Sequence, residues 1–205
     1  MSAMGLATTL HRRRHGRLDG RSERGAVLVE LAMVVPILVL LIMGIVDYAV
    51  LFNQKIGLRG GVREAAWNGS RGIFGAGPSG SCGLTFSGAA PDAATQQIMC
   101  MVKRRSGLDP REIRVMVRLV DLDTPSAPAT YDNGKGLMVC AMRQASSTTH
   151  FFSSVLADSF QVSRLTTVIL AIDPKVTKVG GGQETPFAGK AGGWSFCDPT
   201  VPVPN

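Results

Sequence analysis

From Leu31 to Val46 the chain carries no charged residue, and eleven of those sixteen positions are Leu, Ile or Val. Extended back to Ala26, the stretch is 21 residues interrupted only by Glu30. As a helix it covers roughly 31 Å at ~1.5 Å per residue, enough for the hydrocarbon core of a bilayer. At roughly −0.3 to −0.6 kcal/mol for each Leu, Ile or Val, the segment gains on the order of −5 kcal/mol on insertion. A transmembrane helix is therefore expected here. Pro36 and Gly44 would weaken a soluble helix but are tolerated in a membrane one.

The charge pattern supports that reading. A formal net charge of +7 suggests nucleic acid only if the basic residues form a stripe with aromatics between them. Instead Arg12, Arg13, Arg14, Arg17, Arg21 and Arg24 crowd the first 25 residues against only Asp19 and Glu23. A basic block directly before an apolar span stays in the cytoplasm, so the rest of the chain is expected outside it. The cysteines agree: Cys82, Cys100, Cys140 and Cys197 all follow the span, where an exported domain meets an oxidising compartment. Two disulfides are expected, with three connectivities open. The spacing is too wide for a zinc ribbon, and there is no C-x-x-C pair, so neither metal nor cofactor is expected.

Along the chain, a basic leader at 1–25 precedes a transmembrane and stalk helix at 26–67. A Gly/Ser-rich linker at 68–91 follows, where the domain boundary is placed. The remainder, 92–205, reads as an exported α+β head with a short antiparallel sheet. In it, Asp92–Ser106 has helical character, with Ile98, Met101 and Val102 on one face and Lys103, Arg104 and Arg105 suiting the dipole of the last turn. Strands are expected at Glu112–Val120, Gly136–Met142 and Leu165–Ile172, and a short helix at His150–Leu156. The tail from Gly180 to Asn205 reads as irregular, held down by a bridge at Cys197.

The informative motif is Arg24-Gly25-Ala26-Val27-Leu28-Val29-Glu30-Leu31. A secretory signal is cut after its apolar stretch, whereas here the small residue stands before it. A carboxylate inside a membrane helix is costly and needs a partner. The motif resembles the leader of prepilins, and that resemblance implies a cut between Gly25 and Ala26, which would supply one as a free amine one helical turn from Glu30.

The wider segment 24–71 adds Pro36, the step Gly44-Ile45-Val46-Asp47-Tyr48 and the run Arg63-Glu64-Ala65-Ala66. It resembles the TadE-like family, pseudopilins of the Tad/Flp tight-adherence pilus system. The resemblance implies cleavage by a prepilin peptidase, a role for Glu30 in subunit assembly, and a pilin-like fold anchored once in the cytoplasmic membrane. It implies as partners other Tad pilus subunits and platform proteins of the inner membrane. Asp47, Tyr48, Arg63 and Glu64 become candidate interface residues. Leu31, where major Flp pilins usually carry Tyr, favours a minor pseudopilin over the main filament subunit. A tethered enzyme is the second class, but after the linker only His150 is available as an imidazole, and no G-x-S-x-G, H-E-x-x-H or phosphate-cradling loop appears. The third is an anchored extracytoplasmic binding protein that keeps residues 1–25 and joins no pilus.

Overall fold

The computed structural model describes residues 22–74, 82–125, 129–150, 153–156, 159–170, 179–187, 193–198 and 200, and within them every side chain except those of 22–24 and 155. Residues 1–21 of the expected leader and 75–81 of the expected linker lie outside the described residues. Two compact units divide between Ile42 and Met43.

Helix α1, Ser22–Ser70, continues through Pro36. Its most apolar window is not buried within the chain, and the large side chains from Val27 to Val46 are exposed. A core helix of a soluble domain would cover them, so this length, composition and exposure fit a single membrane span. From Asp47 onward the same helix acquires a buried side: Leu58, Gly61, Val62, Ala65, Ala66, Gly69 and Ser70 recur at three- and four-residue spacing.

That side lies on an antiparallel sheet of order β3-β2-β1-β4. Its strands are β1 Ile113–Val120, β2 Gly136–Gln144, β3 Phe160–Val168 and β4 Gly182–Gln183. The α+β fold with a long N-terminal helix and a small head is as expected. Ile113, Val115, Val117 and Leu119 point to one face with Leu137, Val139 and Ala141, and form the main core with Leu58, Val62, Ala65 and Ala66. Helix α2, Ala93–Arg105, joins this layer through Ala94, Ile98, Met99 and Val102. Asp92 caps it by accepting from the Thr95 N–H at 2.8 Å. The other sheet face, Met116, Val120, Met138 and Cys140, is covered by the tail through Cys197 and Trp194.

Several details differ from the sequence reading, beginning with α1, which runs three residues past Trp67 into the expected linker, and β2, which ends at Gln144 rather than Met142. The third strand begins at Phe160 rather than Leu165 and ends at Val168; residues 171–172 lie outside the described residues. Ser163 and Arg164 obscured its start, yet Ser163 is buried and the Arg164 guanidinium donates to the Asp198 carbonyl on the tail-covered face. The short helix is described over Ser153–Leu156, α3, and residues 151–152 of the expected helix lie outside the described residues. The tail, expected to be irregular, adds the two-residue strand β4 and a 3-10 turn at Trp194–Cys197. Disulfides join Cys82 to Cys100 and Cys140 to Cys197. By loop-closure entropy these contribute about 3 and about 4 kcal/mol respectively, the larger fastening the tail to β2.

Candidate functional site

The candidate residues lie along α1. Gly25 and Ala26 are exposed, and a Cβ added at Gly25 would meet nothing within 4 Å. Glu30, one turn further, is also exposed among apolar neighbours. Among the described residues none covers this stretch.

Asp47 behaves differently. Only 3% exposed, it is held within its own chain by the loop after β2. One carboxylate oxygen accepts from the Thr148 and Thr149 N–H groups, each at 3.0 Å. The other accepts from the Ser147 hydroxyl at 2.6 Å and the Thr149 hydroxyl at 2.7 Å. Four donors favour the ionised form. The Ser147 hydroxyl, then that of Thr149, draws the Asp47 carboxyl down from 3.8 to about 2. The sign follows from linkage: a carboxyl depressed in the folded state stabilises it above the unfolded value, and the contribution is lost as the pH falls through the folded one. The grip of this loop on α1 is therefore expected to be intact above 3.8 and to fail as the pH approaches about 2. Hydrogen exchange at the Thr148 and Thr149 amides checks this, and Asp47→Asn should accelerate that exchange at neutral pH.

Further along α1, β3 runs in the helix direction. Gln161 donates to the Leu51 carbonyl at 2.9 Å, the Thr167 hydroxyl to that of Ala66 at 3.2 Å, and the Leu170 N–H to that of Ser70 at 2.9 Å. Ala65 and Ala66 are fully buried, so this part of the Arg-Glu-Ala-Ala run seats the helix on its own sheet. Glu64 forms a surface pair with Arg105 at 3.0 Å, whereas Arg63 is exposed. Tyr48 is 69% exposed and stacks on Phe52 with ring centroids 6.2 Å apart. Ile56 and Trp67 continue this uncovered side, with Arg71 lying 4.1 Å over the Trp67 ring. Gly60, Arg63, Glu64 and Trp67 border a groove against Leu165 and Thr167.

Residues 25–67 match the model of the TadE-like protein family. This is the helix that holds Gly25, Glu30, Asp47 and the Arg63–Ala66 run. TadE-like proteins are a structural, pilus-associated family, and the match covers 43 of the 205 residues, all of them in α1. No curated protein and no solved structure matches the chain. Among the described residues no three of His, Cys, Asp and Glu are grouped to hold a metal ion.

Sequence reasoning missed two features of α1 and the head. Gly57 and Gly61, four apart, let α1 meet α2 backbone to backbone; a Cβ at Gly57 would lie 2.4 Å from the Ser106 carbonyl oxygen. The small-x-x-x-small spacing, repeated at Ala65 and Gly69, was the available signal. The second is a buried ion pair. Lys103 Nζ lies 2.7 Å from Glu184 Oε1, both side chains being 0% exposed. Glu184 also accepts from the Thr85 N–H at 3.0 Å and the Val115 N–H at 2.8 Å. Burial pushes the Lys103 ammonium below the usual lysine range, and Glu184 opposes that shift.

Proposed function

We propose that the chain is a minor pseudopilin-like subunit of a Tad-type pilus assembly, anchored by residues 26–46 with its N-terminus cytoplasmic and its head outside. One observation carries this reading: Gly25 and Glu30 stand five positions apart at the start of a helix that matches the TadE-like family from residue 25. In this account the protein performs no catalysis. A prepilin peptidase removes 1–25, and the new Ala26 amine becomes the counter-charge for Glu30, in the same chain or in a neighbouring one. The charge then sets the depth and register at which helices pack, because an unpaired carboxylate in hydrocarbon costs about 2.5–3.5 kcal/mol on insertion scales. The exposed side at Tyr48, Phe52, Ile56 and Trp67 offers neighbouring subunits and inner-membrane platform proteins a surface beyond the bilayer.

The test is Glu30→Gln in cells that assemble the pilus. The expected result is a chain still inserted and still processed, with surface pili reduced at least about tenfold if loss of the charge pair costs about 1.4 kcal/mol per subunit placed. Normal piliation by Glu30→Gln would remove Glu30 from the mechanism.

A further inference from the structure

The clamp on Asp47 fixes where the head meets the bilayer. If residues 26–46 fill the hydrocarbon core, as proposed above, Asp47 enters the headgroup layer, which is only about 5–8 Å deep on each side. Ser147 and Thr149 touch the Asp47 carboxylate, so the loop that carries them lies in that layer too. Beside this loop, at the Ile113 and Arg143 end of the sheet, is an open cavity of about 360 Å³. Gln144 at the end of β2 lines it together with Ser146, Ser147 and His150 of the loop and with Arg111, Glu112 and Phe187. The size falls within the range of small-molecule sites, and the lining supplies a guanidinium, hydroxyls, an amide, an aromatic ring and the Glu112 carboxylate, which is paired with Arg143.

The surroundings define what fits. The carboxylates nearby are already engaged: Glu112 accepts from Arg143 Nε at 3.1 Å and Nη2 at 2.5 Å, Asp109 accepts from the Arg111 N–H at 2.9 Å, and Asp47 is filled by its four donors. Arg114 lies 4.7 Å over the Phe187 ring, adding positive charge at the rim. Arg143 Nη1 is buried without a hydrogen-bond partner among the described residues. We infer that this cavity receives the phosphate of an outer-leaflet phospholipid headgroup, with Arg111 as its principal cation and the 144–150 loop as its cradle. The inference rests on the membrane reading above. It gives the head a second hold on the bilayer besides the helix.

The experiment uses the full chain in nanodiscs containing equal amounts of phosphatidylcholine and a neutral galactolipid. A photoreactive benzoylphenylalanine replaces Ser146, or, as the control at the far end of the sheet, Leu122. Resistance to alkaline extraction from liposomes of the same lipids scores insertion separately. The expected result is an inserted chain that forms adducts from position 146, mostly with the phospholipid, and none from position 122. Arg111→Gln should lower the adduct yield about tenfold, the effect of one hydrogen bond to a charged group. Equal labelling of both lipids, no adduct at 146 in an inserted chain, or indifference to Arg111→Gln would overturn the inference alone. Release by alkali would overturn the membrane reading and the inference with it.

Discussion

Gly61→Ala is expected to destabilise the head and Gly60→Ala to stabilise it, although the two glycines are neighbours in one helix. Alanine is the better helix former by about 1 kcal/mol, so propensity alone raises stability at both positions. At Gly60 nothing lies within 4 Å of the added Cβ, and that gain should appear. At Gly61 the Cβ would lie 2.6 Å from the Val102 carbonyl oxygen and 3.0 Å from the Ser106 nitrogen, both backbone atoms of the α2 region. Neither can move without shifting the α2 backbone, and overpacking of this kind costs typically about 1–3 kcal/mol or more. Thermal unfolding of the detergent-purified chain, followed by near-UV circular dichroism, should show Gly61→Ala lowered by several degrees and Gly60→Ala unchanged or raised by about 2–4 °C. Equal effects at the two positions would refute the close approach of α1 and α2.

Lys103→Met should be more damaging still. It leaves the Glu184 carboxylate buried and stripped of its counter-charge, a situation that costs about 3–5 kcal/mol, or about 10 °C in a domain of this size. A buried pair of this kind adds little net stability, because desolvating both charges offsets their attraction. What depends on Glu184 is the satisfaction of the Thr85 and Val115 N–H groups, by which it ties the disulfide loop and β1 to the tail. The double variant Lys103→Met with Glu184→Gln removes the orphaned charge but keeps a side-chain acceptor. It should therefore recover more than half of the loss. A double variant as unstable as Lys103→Met would show that the charge is not the cause.

The helix and two strands were legible because their signals are local. The apolar run to Val46 and the alternation of Ile113, Val115 and Val117 each need only a short window of sequence. The functional anchor points were not legible, because each is completed by a distant partner. Asp47 reads as an acid at a membrane edge until the Ser147–Thr149 loop, a hundred residues on, closes over it. Lys103 stands in a Lys-Arg-Arg run that reads as a solvated helix end, yet it points inward to Glu184 in a Gly- and Pro-rich tail. Gly61 weakens a helix by its propensity alone, and only the distant α2 backbone shows that it serves a close helix contact. The cysteine pairing was equally out of reach, because it depends on the tail crossing the sheet to bring Cys197 to Cys140.

The central claim is that the chain is processed at Gly25 as a pilin-like subunit. Intact mass and N-terminal sequencing of membrane-extracted protein, from cells with and without the prepilin peptidase, test it most directly. The account predicts a mature chain beginning at Ala26 only where the peptidase is present. Retention of residues 1–25 in both strains would contradict it, and would leave an anchored extracytoplasmic binding protein outside any pilus.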